Sequence, residues 1–427
     1  MSCITGGIAI GREGSGTGPK EKGSPDQAAA VTGATFGEVF AVGEFRALWL
    51  AQVLSVAGDQ LARVALTLLV FGRTHSSLLA AITFAASVVP AFVGGVTLAG
   101  LADRLPRRQV MIICDLGRAV LVAVMALPGV PIAALVGLLF LVTMISAPFS
   151  SARAALYPDI LVGDRYVVGT AVTLTAIQFA QVLGFAVGGA AVSFFGVHVS
   201  LLVDAVTFVV SALIIRLWVT PRLAARPVSH SELRGHRAPL IMVRFVFTDP
   251  ALRTPMLFGW LAAFYNVPEG VSAPLAQTLG GGAIAVGLIL AAQAFGASVG
   301  AIAFSRLVAP ARRVRWMGPL AMMACGILVV FAVHPPLPLA LVILGVSGVF
   351  DCYQLAANAS FVTATQAQHR SQAFGVAQAG MSLGQGTAMI AAGAIAQAHS
   401  PSDVVAASGV GGALCGVAIA ISRGRAR

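Results

Sequence analysis

Three acidic residues, Asp59, Glu269 and Asp351, stand inside long apolar stretches of this chain. A charged side chain at such a depth costs at least ~2.5 kcal/mol on membrane-insertion scales, so each acid needs a partner or a function. A carboxyl group favours its neutral form when it is enclosed and its ionised form when water reaches it. The three acids are therefore candidates for taking up and releasing a proton as their surroundings change.

Asp59 has a basic residue, Arg63, one helical turn further along the chain. Residues four apart share a helix face, so the two side chains can form a structural ion pair, or Arg63 can face a cavity instead. Glu269 and Asp351 have no basic residue within one turn. These two acids are the stronger candidates for proton coupling.

The stretches that hold the acids are long enough to span a membrane. The chain is 58% hydrophobic and 10% charged, its mean hydropathy is +0.90, and apolar runs of ~20 residues recur along it. The net charge of +11 could also suit nucleic-acid binding, but the arginines fall in loops between apolar runs and form no single basic face. We therefore expect a lipid bilayer as partner and no nucleic acid.

Composition also argues against other classes of site. The five cysteines are odd in number and four lie inside apolar runs, so we expect no disulfide framework, no metal and no cofactor. The sequence has no H-E-x-x-H pair and no nucleophile beside a base, so we expect no enzyme.

The order of apolar runs predicts an all-α polytopic membrane protein of twelve transmembrane helices in two six-helix bundles. The predicted parts are a disordered cytoplasmic tail (1–42), an N-terminal bundle (43–220), a cytoplasmic connector (221–253), a C-terminal bundle (254–422) and a short tail (423–427). The predicted spans are 45–71, 77–101, 110–127, 131–152, 167–195, 199–219, 256–279, 283–304, 317–333, 337–362, 374–396 and 404–421.

The arginines assign the two sides of the predicted membrane. Nearly all of those outside the spans fall at one end, and Arg73 alone falls in an opposite loop. By the positive-inside rule, both termini are expected in the cytoplasm of a multi-pass protein of the cell membrane.

A charged loop between the second and third spans carries the most specific motif. It reads Gly100-Leu101-Ala102-Asp103-Arg104-Leu105-Pro106-Arg107-Arg108. Arginines alone would set topology, so an ordinary positive-inside loop leaves Asp103 unexplained. The loop resembles the signature G-x-L-A-D-R-x-G-R-R of the major facilitator superfamily, although Ala99 and Pro106 replace its two glycines. The resemblance implies that Asp103, Arg104, Arg107 and Arg108 form a conformational switch.

Span five adds a glycine-rich element, Gly184, Gly188 and Gly189. It resembles the G-P-x-x-G-G element that drug exporters of this superfamily carry on the same helix, with Phe185 in place of proline. Small residues at this spacing equally serve close helix packing. Both interpretations are open at this point.

Other stretches narrow the resemblance to the bacterial branch that holds the enterobactin exporter and the macrolide efflux proteins: Phe45-Arg46-Ala47-Leu48-Trp49, 151–159, 244–253 and Pro268-Glu269-Gly270. The resemblance implies alternating access by an antiporter that exports a small amphipathic drug, antibiotic or siderophore in exchange for protons. We expect a monomer. An importer or facilitator of a metabolite on the same fold is the alternative, and a non-transporting receptor is a third.

The resemblance also implies that spans one, four, seven and ten line a cavity and that span six is peripheral. Asp204 is therefore expected to be a structural partner for another helix, and Asp115 is expected to pair with Arg118 or with the charged loop. Uncharged amides can bind a polar substrate group or join two helices. The substrate-cavity candidates are Arg63, Gln178, Gln181, Tyr265, Asn266, Gln293, Tyr353 and Gln354.

Overall fold

The computed structural model describes residues 35–90, 93–94, 105–222, 238–366 and 369–425, and within these ranges the regular structure is helical. The first half contains α1 (Phe36–Ala41), α2 (Gly43–Thr74), α3 (Ser77–Ala85), α4 (Arg107–Met125), α5 (Ile132–Ile160) and α6 (Asp164–Trp218). The second half contains α7 (Ala238–Thr248), α8 (Pro250–Trp260), α9 (Ala262–Tyr265), α10 (Val267–Gly270), α11 (Ser272–Thr278), α12 (Ala283–Leu307), α13 (Pro310–Gly326), a 3₁₀ helix (Ile327–Val333), α14 (Leu337–Phe350), α15 (Tyr353–Ala364), α16 (Arg370–Ile395) and α17 (Pro401–Arg425).

Seven helical segments in the described ranges are long and apolar enough to cross a membrane, judged by length and composition. Part of the second predicted span lies outside the described residues, so the number twelve stays a prediction. The predicted disordered tail is wrong at its end, because α1 forms there with Thr35 as its N-cap. Helix α7 and the start of α8 fall within the predicted connector, whose bounds stay a prediction.

Helix α6 is two spans joined at a break. At 1.5 Å per residue its 55 residues would extend roughly 80 Å, far beyond a ~30 Å hydrocarbon core. The backbone leaves the helical region at Gly196, where φ is 80°. This is the left-handed region that glycine adopts without steric cost. The two arms correspond to the fifth and sixth predicted spans.

Two predicted single spans are broken helices in the structure. The seventh runs as α8, α9, α10 and α11, with Pro268 just after the break at Asn266. The tenth is interrupted at Asp351 and Cys352, between α14 and α15. Prolines remove backbone donors and kink helices, and an irregular backbone at membrane depth is tolerated where it faces protein or a water-filled space. Glu269 and Asp351 lie at these two breaks.

The chain turns alternate between two ends of the bundle. The histidine-bearing end has the turns at His75, His198, His334 and His399, and the arginine-rich end has Arg107, Arg165, Arg222, Arg312 and Arg370.

Contacts between the two halves concentrate at the histidine-bearing end. Ser77 Oγ donates a 3.4 Å hydrogen bond to the carbonyl of Ala396, and Gln397 Nε2 donates a 2.8 Å bond to Ser76 Oγ. Helices α6 and α12 also cross closely there, since a Cβ added to Gly189 would lie 2.7 Å from the Ala283 carbonyl oxygen. The halves are therefore joined tightly at this end.

Candidate transport cavity and proton-coupling sites

Arg118 of α4 is the centre of a buried charge cluster in the first half. Its guanidinium is 2% exposed and makes a short hydrogen bond and ion pair with Asp115, whose second oxygen accepts a 2.6 Å bond from Ser211. It also contacts Ser55 at 3.3 Å. Of the two partners predicted for Asp115, the structure places Arg118 beside it.

Two aromatic rings complete the surroundings of Arg118. Its guanidinium carbon lies 5.0 Å from the ring centroid of Phe149 and 4.2 Å from that of Phe208. Cation–π contacts of this kind stabilise a desolvated guanidinium. Arg118 thus links α4 to helices α5 and α6, and Ser55 adds a link to α2.

Asp59 and Arg63 do not form the ion pair that their spacing allows. Asp59 instead lies 3.8 Å from Arg118, and its side chain is 29% exposed. Arg63 donates to Gln60 Oε1 at 3.1 Å and to the carbonyl of Ser87 at 3.3 Å. Both side chains are half-buried, so each faces a space that water can reach.

Glu269 interacts electrostatically with charged residues of both halves. Its side chain is half-buried on the short helix α10, and it interacts electrostatically with Arg63 of α2 and with Asp351. A carboxyl group between the halves is exposed to changes in their relative position. Arg63 interacts electrostatically with both Asp59 and Glu269, so it links two of the three acids proposed for proton coupling.

Asp351 is hydrogen-bonded to Tyr265, which is in turn hydrogen-bonded to Gln354. The hydroxyl of Tyr265 makes a short hydrogen bond to its carboxyl group. Gln354 donates at 3.0 Å to the same hydroxyl oxygen and at 3.0 Å to the carbonyl of Gly259. Residues from the seventh and tenth predicted spans therefore converge on this carboxyl group.

Some predicted cavity residues serve the broken helix instead. Gln293 donates to Asn266 Oδ1 at 2.7 Å and to the carbonyl of Tyr265 at 3.1 Å, which satisfies acceptors freed at the break. The hydroxyl of Tyr353 is fully buried and donates to the carbonyl of Phe258 at 3.0 Å. The polar groups of Gln293 and Tyr353 are thus engaged by the protein in this conformation, and their place in a substrate cavity stays a prediction.

A cavity of about 210 Å³ lies between α8, α15 and α16, toward the arginine-rich end. Its polar lining comes from three amides, Gln354, Asn358 and Gln378, and its apolar lining includes Trp260 and Phe374. Ligand sites commonly combine an apolar wall with a few polar groups in this way. Sequence reasoning missed Asn358, because an amide in an apolar run carries no signal of which way it faces.

Three residues of α6 lie on its face toward the other half. Gln178 lies about two helical turns before Phe185, and Gly189 lies about one turn after it. Gly189 and the carbonyl of Phe185 are close to Gly287 of α12. Gln178 is exposed and Gln181 is half-buried beside it, on the arginine-rich side of that contact. The helical spacing favours a position of Gln178 beside the space between the halves, and the cavity role of both amides stays a prediction.

The three span-five glycines have different neighbours. A Cβ added to Gly184 would lie 2.8 Å from the Ala57 carbonyl oxygen, and one added to Gly188 would lie 3.0 Å from the Leu61 Cα. Both neighbours belong to α2 of the same half. At Gly189 an added Cβ would meet α12 of the other half. All three positions serve close packing, but only Gly189 lies between the halves.

The charged loop is described only in part. Asp103 and Arg104 lie outside the described residues. Arg107 donates to the Ala155 carbonyl at 2.7 Å and pairs with Asp159 at 2.5 Å, and Arg108 makes a short bond to the carbonyl of Arg216. These two arginines tie the start of α4 to the ends of α5 and α6.

The family model of the Major Facilitator Superfamily matches residues 48–269 and 270–426, which is most of the chain. The chain belongs to the major facilitator superfamily. It is accordingly a multi-pass membrane transporter and not an enzyme, as the sequence predicted.

Individual relatives of this transporter are distant. Enterobactin exporter EntS from Salmonella choleraesuis and from Salmonella typhi are each 26% identical over 276 residues. The match covers 62% of this chain and 64% of each exporter, so it spans less than two thirds of the relatives.

Solved structures share the transporter's fold. A POT family transporter in complex with 5-aminolevulinic acid has a TM-score of 0.73 at 9% identity, covering 89% of this chain and 96% of that one. A bacterial homolog of the human lysosomal transporter Spinster, in an inward-facing and occupied conformation, has a TM-score of 0.68 at 15% identity, with 89% and 96% covered. At such identities the likeness shows the fold alone.

Proposed function

We propose that this transporter exports a small amphipathic organic molecule, such as a drug, antibiotic or siderophore, in exchange for protons. Transport by alternating access requires a site that both halves share and a group whose proton affinity changes as the halves move. The position of Glu269 carries the proposal. This half-buried acid of the second half interacts electrostatically with Arg63 of the first half.

The arginine-rich end is the cytoplasmic end in this proposal, and both termini lie there. The tight contacts at the histidine-bearing end then describe a conformation closed to the outside. The cavity beside Trp260 would receive substrate from the cytoplasmic side, as an exporter needs. Its amides and aromatic rings suit a molecule that has both polar groups and flat apolar surfaces.

The positions of Glu269 and Asp351 at the helix breaks support a role for these acids in proton coupling. Substrate in the cavity would displace a proton from these acids, and opening to the outside would let a new proton replace the substrate. The switch loop would favour one of the two conformations. For Asp103 and Arg104 this role rests on the sequence motif.

Proton release from energised inside-out vesicles tests the proposal. Respiration acidifies the vesicle lumen, and a proton-exchanging exporter raises the lumenal pH when a substrate is added. The probes are a macrolide, a lipophilic cation and enterobactin, the last because relatives carry the name enterobactin exporter. We expect at least one probe to dissipate the gradient and to accumulate in the vesicles only when the gradient is present.

The coupling residues have matched variants in the same assay. Glu269→Gln and Asp351→Asn should abolish gradient-driven accumulation, flatten its pH dependence and leave substrate exchange intact. Asp403→Asn is the control, because Asp403 is an exposed acid paired with His334 at 3.5 Å. If substrate accumulates in right-side-out vesicles and not in inside-out vesicles, the protein is an importer. If substrate binds but does not cross the membrane, the protein is a receptor. Full accumulation in both coupling variants would contradict the proposed role of these acids.

A further inference from the structure

Asp204 is the buried acid that the transport proposal does not use. Its side chain is 1% exposed on the second arm of α6, and Thr207 donates a 3.3 Å hydrogen bond to its Oδ1. Its Oδ2 is buried without a hydrogen-bond partner among the described residues. An ionised carboxylate in this position would have one hydrogen bond, at Oδ1, and would leave its second oxygen buried without a donor.

The guanidinium groups nearby are occupied by other partners. Arg118 is shared between Asp115, in a short contact, and Asp59 at 3.8 Å. Arg63 is turned toward Gln60 and the Ser87 carbonyl. No basic side chain in the described chain forms an ion pair with Asp204 within 4 Å; Arg118 acts on it electrostatically only from further away, and Asp59 acts on it as a like charge.

Asp204 also packs directly against the helix that carries Asp59. A Cβ added to Gly58 would lie 2.2 Å from Asp204 Oδ1, so only glycine admits the carboxyl group at this point. A cavity of about 40 Å³ joins the two acids and is lined by Ser87, Thr143, Ser146, Arg63 and Ala62 among others. This volume accommodates a water molecule, and the polar groups around it can bind one.

We propose that Asp204 is a second proton-binding site, protonated in this conformation, which exchanges its proton through the small cavity with the half-exposed Asp59. Protonation gives the unpartnered Oδ2 a hydrogen to donate into the cavity and removes the like-charge repulsion from Asp59. Asp115 stays ionised because Arg118 and Ser211 both bind it. The site lies wholly within the first half, apart from Glu269 and Asp351.

Infrared spectroscopy on the purified full-length protein, with wild type and variant compared at the same pH, tests the protonation state without any transported substrate. The wild-type spectrum minus that of Asp204→Asn should contain the C=O band of a protonated carboxyl group, shifted in D₂O. Bands of an ionised carboxylate in that difference would overturn the proposal. Subtracting Asp403→Asn, an exposed acid, should give only ionised-carboxylate bands.

Stability gives an independent readout. Asparagine mimics a neutral carboxyl group, so Asp204→Asn should fold and keep its melting temperature within a few degrees of wild type. Asp115→Asn, which deprives Arg118 of its ionised partner, should lower it clearly. Failure of Asp204→Asn to fold would mean that Asp204 is needed as a charged structural partner, and would overturn the proposal.

The exchange route has its own variant. Ser146→Val fills the cavity with apolar volume, so the Asp204 band should persist while its hydrogen–deuterium exchange slows several-fold. Unchanged exchange would contradict the route through the cavity. These outcomes do not depend on the direction or substrate of transport, so the export proposal can fail while this one holds.

Discussion

A single arginine organises the charges of the first half. Arg118 pairs with two carboxylates, contacts Ser55, Phe149 and Phe208 on three other helices, and is almost completely buried. Removing one member of a buried ion pair leaves the other charge uncompensated, which costs about 3–5 kcal/mol. Arg118 is therefore expected to be a stability residue first, whatever part it has in coupling.

Arg118→Ala tests this expectation. The variant should lose several degrees of melting temperature in detergent, because Asp115 would be left buried without its cation. The matched control is Arg165→Ala, since Arg165 and Glu38 form an exposed pair at 3.6 Å and such pairs contribute only ~0–1 kcal/mol. Equal melting temperatures for the two variants would show that the buried cluster does not stabilise the fold.

The sequence predicted which acids lie inside the apolar spans but not which residues they contact. An acid in an apolar run is visible without a structure, so Asp59, Glu269 and Asp351 could be singled out. Their partners were not visible, because Asp59 meets Arg118 on another helix and not Arg63 one turn away. Spacing along one helix says nothing about which neighbouring helix supplies the closer charge.

The glycines of helix α6 pack against two different helices, one in each half of the protein. Gly184 packs on α2 within the first half, and Gly189 packs on α12 across the halves. The first contact persists as long as the half keeps its packing. The second lies where alternating access requires the halves to separate.

The same substitution at the two glycines should therefore have different effects. Gly184→Ala should lower the melting temperature, because overpacking costs about 1–3 kcal/mol. Gly189→Ala should instead weaken closure at the histidine-bearing end; a penalty of about 1.4 kcal/mol changes the ratio of conformations tenfold. We expect a cysteine at Gln178, on the arginine-rich side, to react more slowly with a thiol reagent in that variant.

Gly137→Ala is the control for both measurements. Gly137 lies in α5 and an added Cβ there meets nothing within 4 Å, so alanine should be neutral or slightly stabilising. If Gly189→Ala lowers the melting temperature as much as Gly184→Ala and leaves Gln178→Cys labelling unchanged, the α6–α12 crossing is a fixed contact.

The broken helices mark the limit of prediction at this scale. Hydropathy located the seventh and tenth spans but treated each as continuous. Pro268 was a local signal for the first break. The break at Asp351 has no proline beside it, and the hydrogen bond from Tyr265 to its carboxyl group comes from a different span, so no local signal marks it.

At the scale of the whole molecule, the orientation of the ends decides what the observed conformation means. The halves meet at the histidine-bearing end, and the 210 Å³ cavity lies toward the arginine-rich end. If the arginine-rich end is cytoplasmic, the cavity loads from inside and the conformation suits an exporter awaiting substrate. The opposite orientation would reverse this reading and favour uptake.

Thiol labelling in intact cells decides the orientation. Leu105 is exposed at the start of the arginine-rich end, and Ser400 lies in the turn before α17 at the histidine-bearing end. In a variant without the five native cysteines, Leu105→Cys should resist a membrane-impermeant reagent, because Arg107 and Arg108 hold this loop in the cytoplasm. Ser400→Cys should react readily, and permeabilised cells should label both, which controls for folding and exposure. Ready labelling at Leu105 with protection at Ser400 would invert the topology, and the cavity would then open to the outside in the conformation described.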